Sequence, residues 1–434
     1  MAMTITEKIL AKGAGKKSVS AGDNVWVQAD ILMTHDVCGP GTIGIFHREF
    51  GRDAKVFDRE RIVLAPDHYI FTKDEMCLRN IETCRTFAAE QQLPHAYIPF
   101  TDSYSGVCHV TLPQKGHCRP GEIMFGTDSH TCTHGAFGQF ATGIGNTDAA
   151  FVMGTGKLLI KVPASMKFLV EGGPLPRGVM AKDVILQIIG DLGVEGATYR
   201  AMEFAGDTIS ALSIEERETI CNMAIEAGAK NGIIAPDYIT LDYILARTRK
   251  PFTCFASDAD ATYISVKKYQ AKDLVPVVAL PHSPDNRKNA ADAGDIKIDR
   301  AYIGSCTGGK ITDFIAAAEV LNGRKVAVDT FLVPSTTEVA AQFDQITIFG
   351  KTLTQIFKDA GCLPPAPPSC AACLGGPEDT FGRTHGTEVC ISTTNRNFIG
   401  RMGSKKSAVI LASPYTAAAS ALTGRVTDPR EFLG

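Results

Sequence analysis

RAYIGSCTGGKITDFIAAAEVL, residues 300–321, decides the fold class. A short apolar run, a glycine-rich turn and a stretch with apolar residues at helical spacing follow one another, the pattern of a strand feeding a helix. It returns twice downstream, where KVAVDTFLVP (325–334) leads into STTEVAAQF (335–343) and SAVILASPY (407–415) leads into TAAASALTG (416–424). Strand–helix units of this kind build a mainly parallel sheet covered on both faces, so the chain is expected to be α/β. Ser335 and Glu338 have capping-box spacing, which predicts a helix starting just after Pro334.

With 434 residues the chain is too long for one ordinary core. Pro163 and the Gly/Pro cluster from Gly172 to Gly178 break the pattern once, and the polar, turn-rich ALPHSPDNRKNAADAGD (279–295) breaks it again. Three domains are therefore expected, at 1–163, 164–285 and 286–434. A composition of 44% hydrophobic and 21% charged residues is that of a soluble globular protein. The net charge of −3 gives no reason to expect nucleic acid, whose phosphates call for a Lys/Arg excess. No run of about 18 apolar residues spans a membrane, and MAMTITEKILAKGAGKK lacks the apolar stretch of a secretory signal. The chain reads as soluble and cytoplasmic.

Thirteen cysteines, an odd number, cannot all pair within one chain, and in a reducing compartment clustered ones bind metal or do chemistry. Cys306 falls at a predicted strand end before a helix, and Cys370 and Cys373 form a C-x-x-C in the loop PPSCAACLGG. Backbone amides and a helix N-terminus favour thiolate there, which suits a soft metal. C-x-x-C alone leaves zinc, redox and chance readings open. A structural zinc site closes with four ligands, whereas a trio leaves a coordination position free, as a catalytic metal requires. Cys362 is close enough in sequence to upset that count.

In the first 163 residues Asp and His recur after apolar runs. THDV supplies His35 and Asp36, RIVLAPDHYIF supplies Asp67 and His68, GVCHVTLP carries His109, and IMFGTDSHTCTHG carries Asp128, Ser129, His130 and His134. Ligands of open α/β sheets bind beyond the C-terminal strand ends, so these groups are candidates for acid–base work. His47, His95, His117 and His282 lie outside such contexts. In ALSIEERETICNMAIEAGAK (211–230), Ser213 and Glu216 form a capping box and Gly228 can close the helix, which puts Asn222 and Glu226 at i and i+4 on one face. That face reads by itself as solvated. EVCISTTNRNFIGRMG (388–403) offers Asn395, Arg396 and Arg401 after a strand, and the guanidinium fork suits a carboxylate. GTGK (154–157) lacks the rest of a phosphate-binding loop, and Gly143-Ile-Gly145 is too short for a dinucleotide fingerprint.

GTDSHT, CNMAIEAGA, GSCT, SCAAC and TNRNFIGR, in this order from Lys8 onward, resemble the aconitase superfamily and within it the branch of isopropylmalate dehydratase and homoaconitase large subunits. The resemblance implies three α/β domains around a central cleft and a 4Fe–4S cluster held by Cys306, Cys370 and Cys373, whose fourth iron has no protein ligand. It implies that Asp67–His68 protonates the departing hydroxyl and that His109, Asp128, His130 and Glu226 support the cluster-bound water and substrate. His35, Ser129 and Asn222 match substrate-contacting positions, and Arg396 and Arg401 match arginines that bind carboxylate or support the base. Asn395 falls beside the cluster.

Two positions depart from the pattern: Gly308 stands where the family usually has Asn after GSCT, and His35 stands where aconitase has Gln. The family's catalytic serine lies on a fourth, swivelling domain, for which no room is left before Gly434, so a separate small subunit is expected. The implied reaction is dehydration and rehydration of 2- and 3-isopropylmalate in leucine biosynthesis. Homoaconitase and citramalate or dimethylmalate dehydratase are alternatives of the same class. Cluster-free RNA binding and a zinc-stapled scaffold belong to other classes; the low net charge opposes the first and the Asp/His-rich loops the second.

Overall fold

The computed structural model describes residues 2–433, and the strand–helix units take the forms expected: strand Arg300–Ile303 with helix Ile311–Leu321, Asp329–Leu332 with Thr337–Gln345, and Ala408–Ala412 with Pro414–Thr423. Every residue of Arg300–Ile303, Ile31–Thr34 and Ile123–Gly126 is buried, which fits strands flanked by helices on both faces. The fold is α/β with mainly parallel sheets.

Three sheets dominate. The first runs His95–Ala96, Ile62–Leu64, Ile31–Thr34, Ile123–Gly126, Phe140–Gly143, all parallel. The second runs Asn231–Ile234, Ala201–Ala205, Ser165–Glu171, Ser265–Gln270, again parallel. The third runs Arg287–Asn289, Val277–Ala279, Ala408–Ala412, Val389–Ser392, Arg300–Ile303, Asp329–Leu332, with Val277–Ala279 antiparallel to both neighbours. The polar stretch after Ala279 is thus a hairpin rather than a plain linker, its polarity suited to an edge strand. We propose the three sequence segments as the chain's domains, with Val277–Ala279 joining the third sheet from ahead of residue 286.

The helix expected after Pro334 begins one residue late. Thr336 is its N-cap and its hydroxyl accepts the Val339 N–H (3.2 Å), while Ser335 Oγ has no hydrogen-bond partner among the described residues. The Ser335 backbone is engaged elsewhere: its carbonyl accepts the Val107 N–H (2.7 Å) and its N–H donates to Gly309 O (2.8 Å), stitching the third segment to the first. In the middle segment the Ser213–Glu216 capping box starts helix Ile214–Asn222, which tightens into a 3₁₀ turn, Met223–Ala227, closed by Gly228 at φ +84°.

That turn lies against the 3₁₀ segment Ser129–Phe137, which follows the first sheet's strand Ile123–Gly126. The same 3₁₀ segment also packs on strand Asn231–Ile234, and that approach depends on Gly135: a Cβ there would stand 1.7 Å from the Gly232 carbonyl oxygen. Backbone against backbone leaves nothing flexible to yield. Gly135→Ala is therefore expected to destabilise the chain by about 1–3 kcal/mol, the range for overpacking a tight contact, measured by denaturant unfolding.

Candidate active site

The first sheet's parallel strands all end on one side, and the Asp/His groups gather there. His35 and Asp36 follow strand Ile31–Thr34, Asp67 and His68 follow Ile62–Leu64, and Asp128 to His130 follow Ile123–Gly126. His109 differs from expectation: it sits not in a strand-end loop but in the first turn of helix Cys108–Gln114.

Asp67 is fully buried and its carboxylate is satisfied by the His68 ring, with Oδ1 2.6 Å from Nδ1, and by the Cys108 N–H, 2.7 Å from Oδ2. Asp36 holds the loop in shape, accepting the N–H groups of Asp67 (2.9 Å), His68 (3.0 Å) and Tyr69 (2.8 Å). Burial opposes a charged imidazole, but the Asp67 carboxylate outweighs it and pushes His68 up to about 10. His68 thus carries a proton through the neutral range. His35 stacks on it, rings 4.4 Å apart and 28° from parallel, and burial together with the His68 charge lowers the His35 pKa. Its Nδ1 accepts the Val37 N–H (3.3 Å), so neutral His35 carries its hydrogen on Nε2, which is buried and has no hydrogen-bond partner among the described residues.

Asp128 completes the group. Its Oδ1 lies 2.9 Å from His109 Nε2 and accepts the His130 N–H (2.7 Å), while its Oδ2 lies 3.8 Å from both His35 Nε2 and His68 Nε2. Burial resists the charge, but His109 and His130 hold the carboxyl well below its ordinary range. His130 Nε2 in turn lies 2.7 Å from Glu226 Oε1, and Arg396 Nε donates to both Glu226 oxygens at 2.8 and 3.0 Å. Asn222 and Glu226 are buried, not on the solvated face that their helix suggests in isolation.

The second half of the site comes from the third sheet. Cys306 follows strand Arg300–Ile303, Asn395 follows the adjacent parallel strand Val389–Ser392, and Cys370 precedes and Cys373 lies within a 3₁₀ turn, Ala372–Leu374. The three thiols are buried together with Val107 and Val110. Asn222 Nδ2 donates to Cys306 Sγ (3.2 Å), as does Asn395 Nδ2 (3.5 Å), and Ser305 Oγ donates to Cys373 Sγ (3.6 Å). Cys362 is not among them; it packs beside the core of the third sheet. Ser129 is half-buried beside His130, its Oγ 3.4 Å from Nδ1, and Arg401 Nε is buried without a hydrogen-bond partner among the described residues.

Burial and the nearby Cys373 push the Cys306 thiol up to about 12, so a thiolate there needs a cation to balance it. The three sulfurs do not form a set lying within 4.8 Å of one another; among the described residues only His35, Asp36, Asp67 and His68 do so. Around one zinc ion, sulfurs would lie roughly 3.8 Å apart. Three free thiols that do not all fit around one such ion, with amide and hydroxyl donors aimed at them, suit a polynuclear iron–sulfur group better than a single ion. The oxygens of Asp36 and Asp67 are already taken by N–H donors, so the compact His/Asp set reads as a proton-holding group.

Both halves are tied together by main-chain and side-chain bonds: the Cys370 N–H donates to Asp67 O (2.8 Å), Tyr69 Oη donates to Leu374 O (3.1 Å), and Tyr104 Oη bonds to Pro368 O. Lys182, which nothing in its helical sequence context singles out, is fully buried behind the thiols and donates to the carbonyls of Thr394 (2.6 Å) and Thr393 (3.0 Å) and to Thr307 Oγ1 (3.2 Å). Asp36, a sequence candidate for acid–base work, serves here as the clamp of a loop, and Lys182 is a site residue that the sequence does not mark.

The family model described as aconitase family (aconitate hydratase) matches residues 7–293 and 286–424. The chain belongs to the aconitase family. Among curated relatives, the chain is 58% identical to the chloroplastic 3-isopropylmalate dehydratase large subunit of Arabidopsis thaliana, covering 99% of this chain and 87% of that protein. It is 44% identical to the 3-isopropylmalate dehydratase large subunit of Thermodesulfovibrio yellowstonii over the whole of both chains (100% each), and 45% identical to large subunit 1 of that enzyme in Pyrococcus furiosus over 99% of each. The chain is thus a hydro-lyase of this family. No described helix is long and apolar enough to cross a membrane.

The Gly308 departure has a steric counterpart in this aconitase-family chain. A Cβ at Gly308 would lie 2.1 Å from Thr393 Oγ1 and 2.2 Å from its Cβ. Thr393 fills that space and ties down the strand end, its Oγ1 accepting the Gly304 N–H (2.9 Å) and donating to Gly304 O (3.0 Å). Gly308→Ala is accordingly expected to lower the melting temperature and weaken retention of iron, read by metal analysis beside a thermal melt.

The Asp67–His68 pair also predicts a pH dependence. A pKa raised in the folded chain means that the pair's stabilisation is complete below about 6.5, the unfolded value, and falls away as pH rises through about 10. Asp67→Asn should remove this slope and bring the His68 titration down, followed by NMR of the ring signals.

Proposed function

We propose that this chain is the large, iron–sulfur-carrying subunit of a 3-isopropylmalate dehydratase, interconverting 2-isopropylmalate and 3-isopropylmalate by dehydration and rehydration in leucine biosynthesis. The observation that carries the reading is a proton-bearing His68, held by Asp67, on a loop bonded directly to the loop of the buried cysteines. The names of the relatives supply the substrate and the expectation of a small-subunit partner.

Cys306, Cys370 and Cys373 would hold a 4Fe–4S cluster, with Asn222, Asn395 and Ser305 donating hydrogen bonds to the sulfurs. When bound, the cluster supplies a Lewis-acidic iron at a position with no protein ligand. His68 then gives its Nε2 proton to the leaving hydroxyl, Asp67 stabilising and orienting the ring throughout. His109, Asp128, His130 and Glu226 form the connected set that holds the departing water, and the Nε2–H of His35 and the Ser129 hydroxyl are donors for the substrate. Arg396, held by Glu226, and Arg401, with an unpaired Nε, offer guanidinium groups to substrate carboxylate. Abstraction of the proton from the neighbouring carbon falls to a base on the small subunit, which would also line the part of the pocket that reads the isopropyl group.

The test is anaerobic preparation together with the small subunit, followed by iron, sulfide and isopropylmalate dehydratase assays. About four irons per chain with turnover is the expected result, with activity lost on aeration. His68→Gln should keep the iron and lower kcat by roughly 10²–10⁴-fold. Cluster present with isopropylmalate inert would send the site to homocitrate- or methylmalate-type substrates, and no iron after reconstitution would overturn the proposal.

A further inference from the structure

Asp128 is reached from the protein interior by a line of side chains that proton transfer from His68 does not use. His109 Nε2 lies 2.9 Å from Asp128 Oδ1, His109 Nδ1 lies 3.4 Å from His134 Nε2, and His134 Nδ1 lies 3.2 Å from the Cys118 sulfur. The three side chains come from different places: His109 from helix Cys108–Gln114, Cys118 from the turn beyond it, and His134 from the 3₁₀ segment Ser129–Phe137. All are buried, at 3%, 0% and 2% exposure for His109, His134 and Cys118. Both nitrogens of each ring are engaged by protein atoms, so the protein and not water decides where the ring hydrogens sit.

Chemistry gives the line a direction. The Asp128 carboxylate only accepts, so His109 donates to it through Nε2–H. At the far end the Cys118 sulfur has His134 Nδ1 as its hydrogen-bond partner among the described residues. If His134 donated to that sulfur, the buried S–H would have no acceptor; if Cys118 donates, every hydrogen in the line is used. Cys118 S–H then points to His134 Nδ1, His134 Nε2–H to His109 Nδ1, and His109 Nε2–H to Asp128. Burial supports the neutral forms this needs, driving His134 well below the usual imidazole range and Cys118 well above the usual thiol range.

We propose that Cys118 and His134 are positioning residues that lock His109 as its Nε2–H tautomer. So held, His109 ties down Asp128 Oδ1 and leaves Oδ2 directed at His35 and His68, 3.8 Å from each. The consequence for turnover rests on the dehydratase reading above; the tautomer itself does not. Orienting partners of this kind change activity by roughly ten- to a hundredfold when removed.

The test uses the full chain labelled with ¹⁵N at histidine, assigned by single-histidine substitution, in which ring nitrogens bearing a hydrogen and bare ring nitrogens give distinct signals. The expected wild-type spectrum has His109 with Nε2 protonated and Nδ1 bare, and the same pattern in Cys118→Ser, whose hydroxyl also donates. His134→Phe, which takes the donor away from His109 Nδ1, should free that nitrogen to carry a hydrogen and, in the assembled enzyme, lower kcat roughly ten- to a hundredfold with a smaller change in KM. Wild-type His109 protonated on Nδ1, or a His134→Phe chain that melts normally with Nδ1 still bare, would overturn the proposal. Correct tautomers in a chain inactive on every hydroxy acid tried would instead overturn the proposed function and leave this inference standing.

Discussion

The Asp67–His68 contact is the constraint on which the rest of the site depends. A buried carboxylate is tolerated only when its oxygens are satisfied, and here one meets an imidazole and the other a backbone N–H at a helix start. The same residue's carbonyl accepts the N–H of Cys370. One position therefore sets the charge of the acid, fixes the start of the helix bearing His109 and seats the cysteine loop. Asp36 makes this possible by gripping three successive N–H groups of the Asp67 loop, leaving the side chains free for chemistry.

The titratable groups around it are pushed in opposite directions by their surroundings. His68 is driven up by Asp67 against the effect of burial, while the stacked His35 is driven down, first by burial and then by the His68 charge. Glu226 and Asp128 stay ionised because His130, His109 and Arg396 outweigh their desolvation. Separating the pKa values of neighbours in this way assigns an acid, a neutral donor and two anions within a few ångströms, without requiring any of them to be exposed to water. The thiol pocket lies on the other side of the same loop, where amide and hydroxyl donors face sulfur.

What joins the two halves is long-range in sequence. Asn222 bonds to Thr133 and to Cys306, and Glu226 bonds to His130 and Arg396, so a single helix end from the middle segment bridges the first and third sheets. That bridge requires helix Ile214–Asn222 to tighten into a 3₁₀ turn and requires Gly135 where the backbones nearly touch. Lys182 secures the third sheet's strand-end loops from behind in the same fashion.

The sequence by itself determined the strand–helix order, because alternating apolar runs and amphipathic stretches are local signals, and it marked the cysteines and the strand-end Asp/His groups, because residues of that chemistry are rare in such contexts. It misplaced by one residue the cap before Thr337, where Ser335 is committed to Val107 and Gly309. Periodicity also left Asn222 and Glu226 on a face that looks solvated, marked Asp36 and His134 without showing what they hold, and passed over Lys182 and Cys118. Those depend on partners tens to hundreds of residues away, and neither periodicity nor spacing carries information about them. Only the packing of the sheets and their loops against one another decides which polar groups are buried together. Burial then sets their charge, because a group cut off from water takes the protonation state that its nearest neighbours can satisfy.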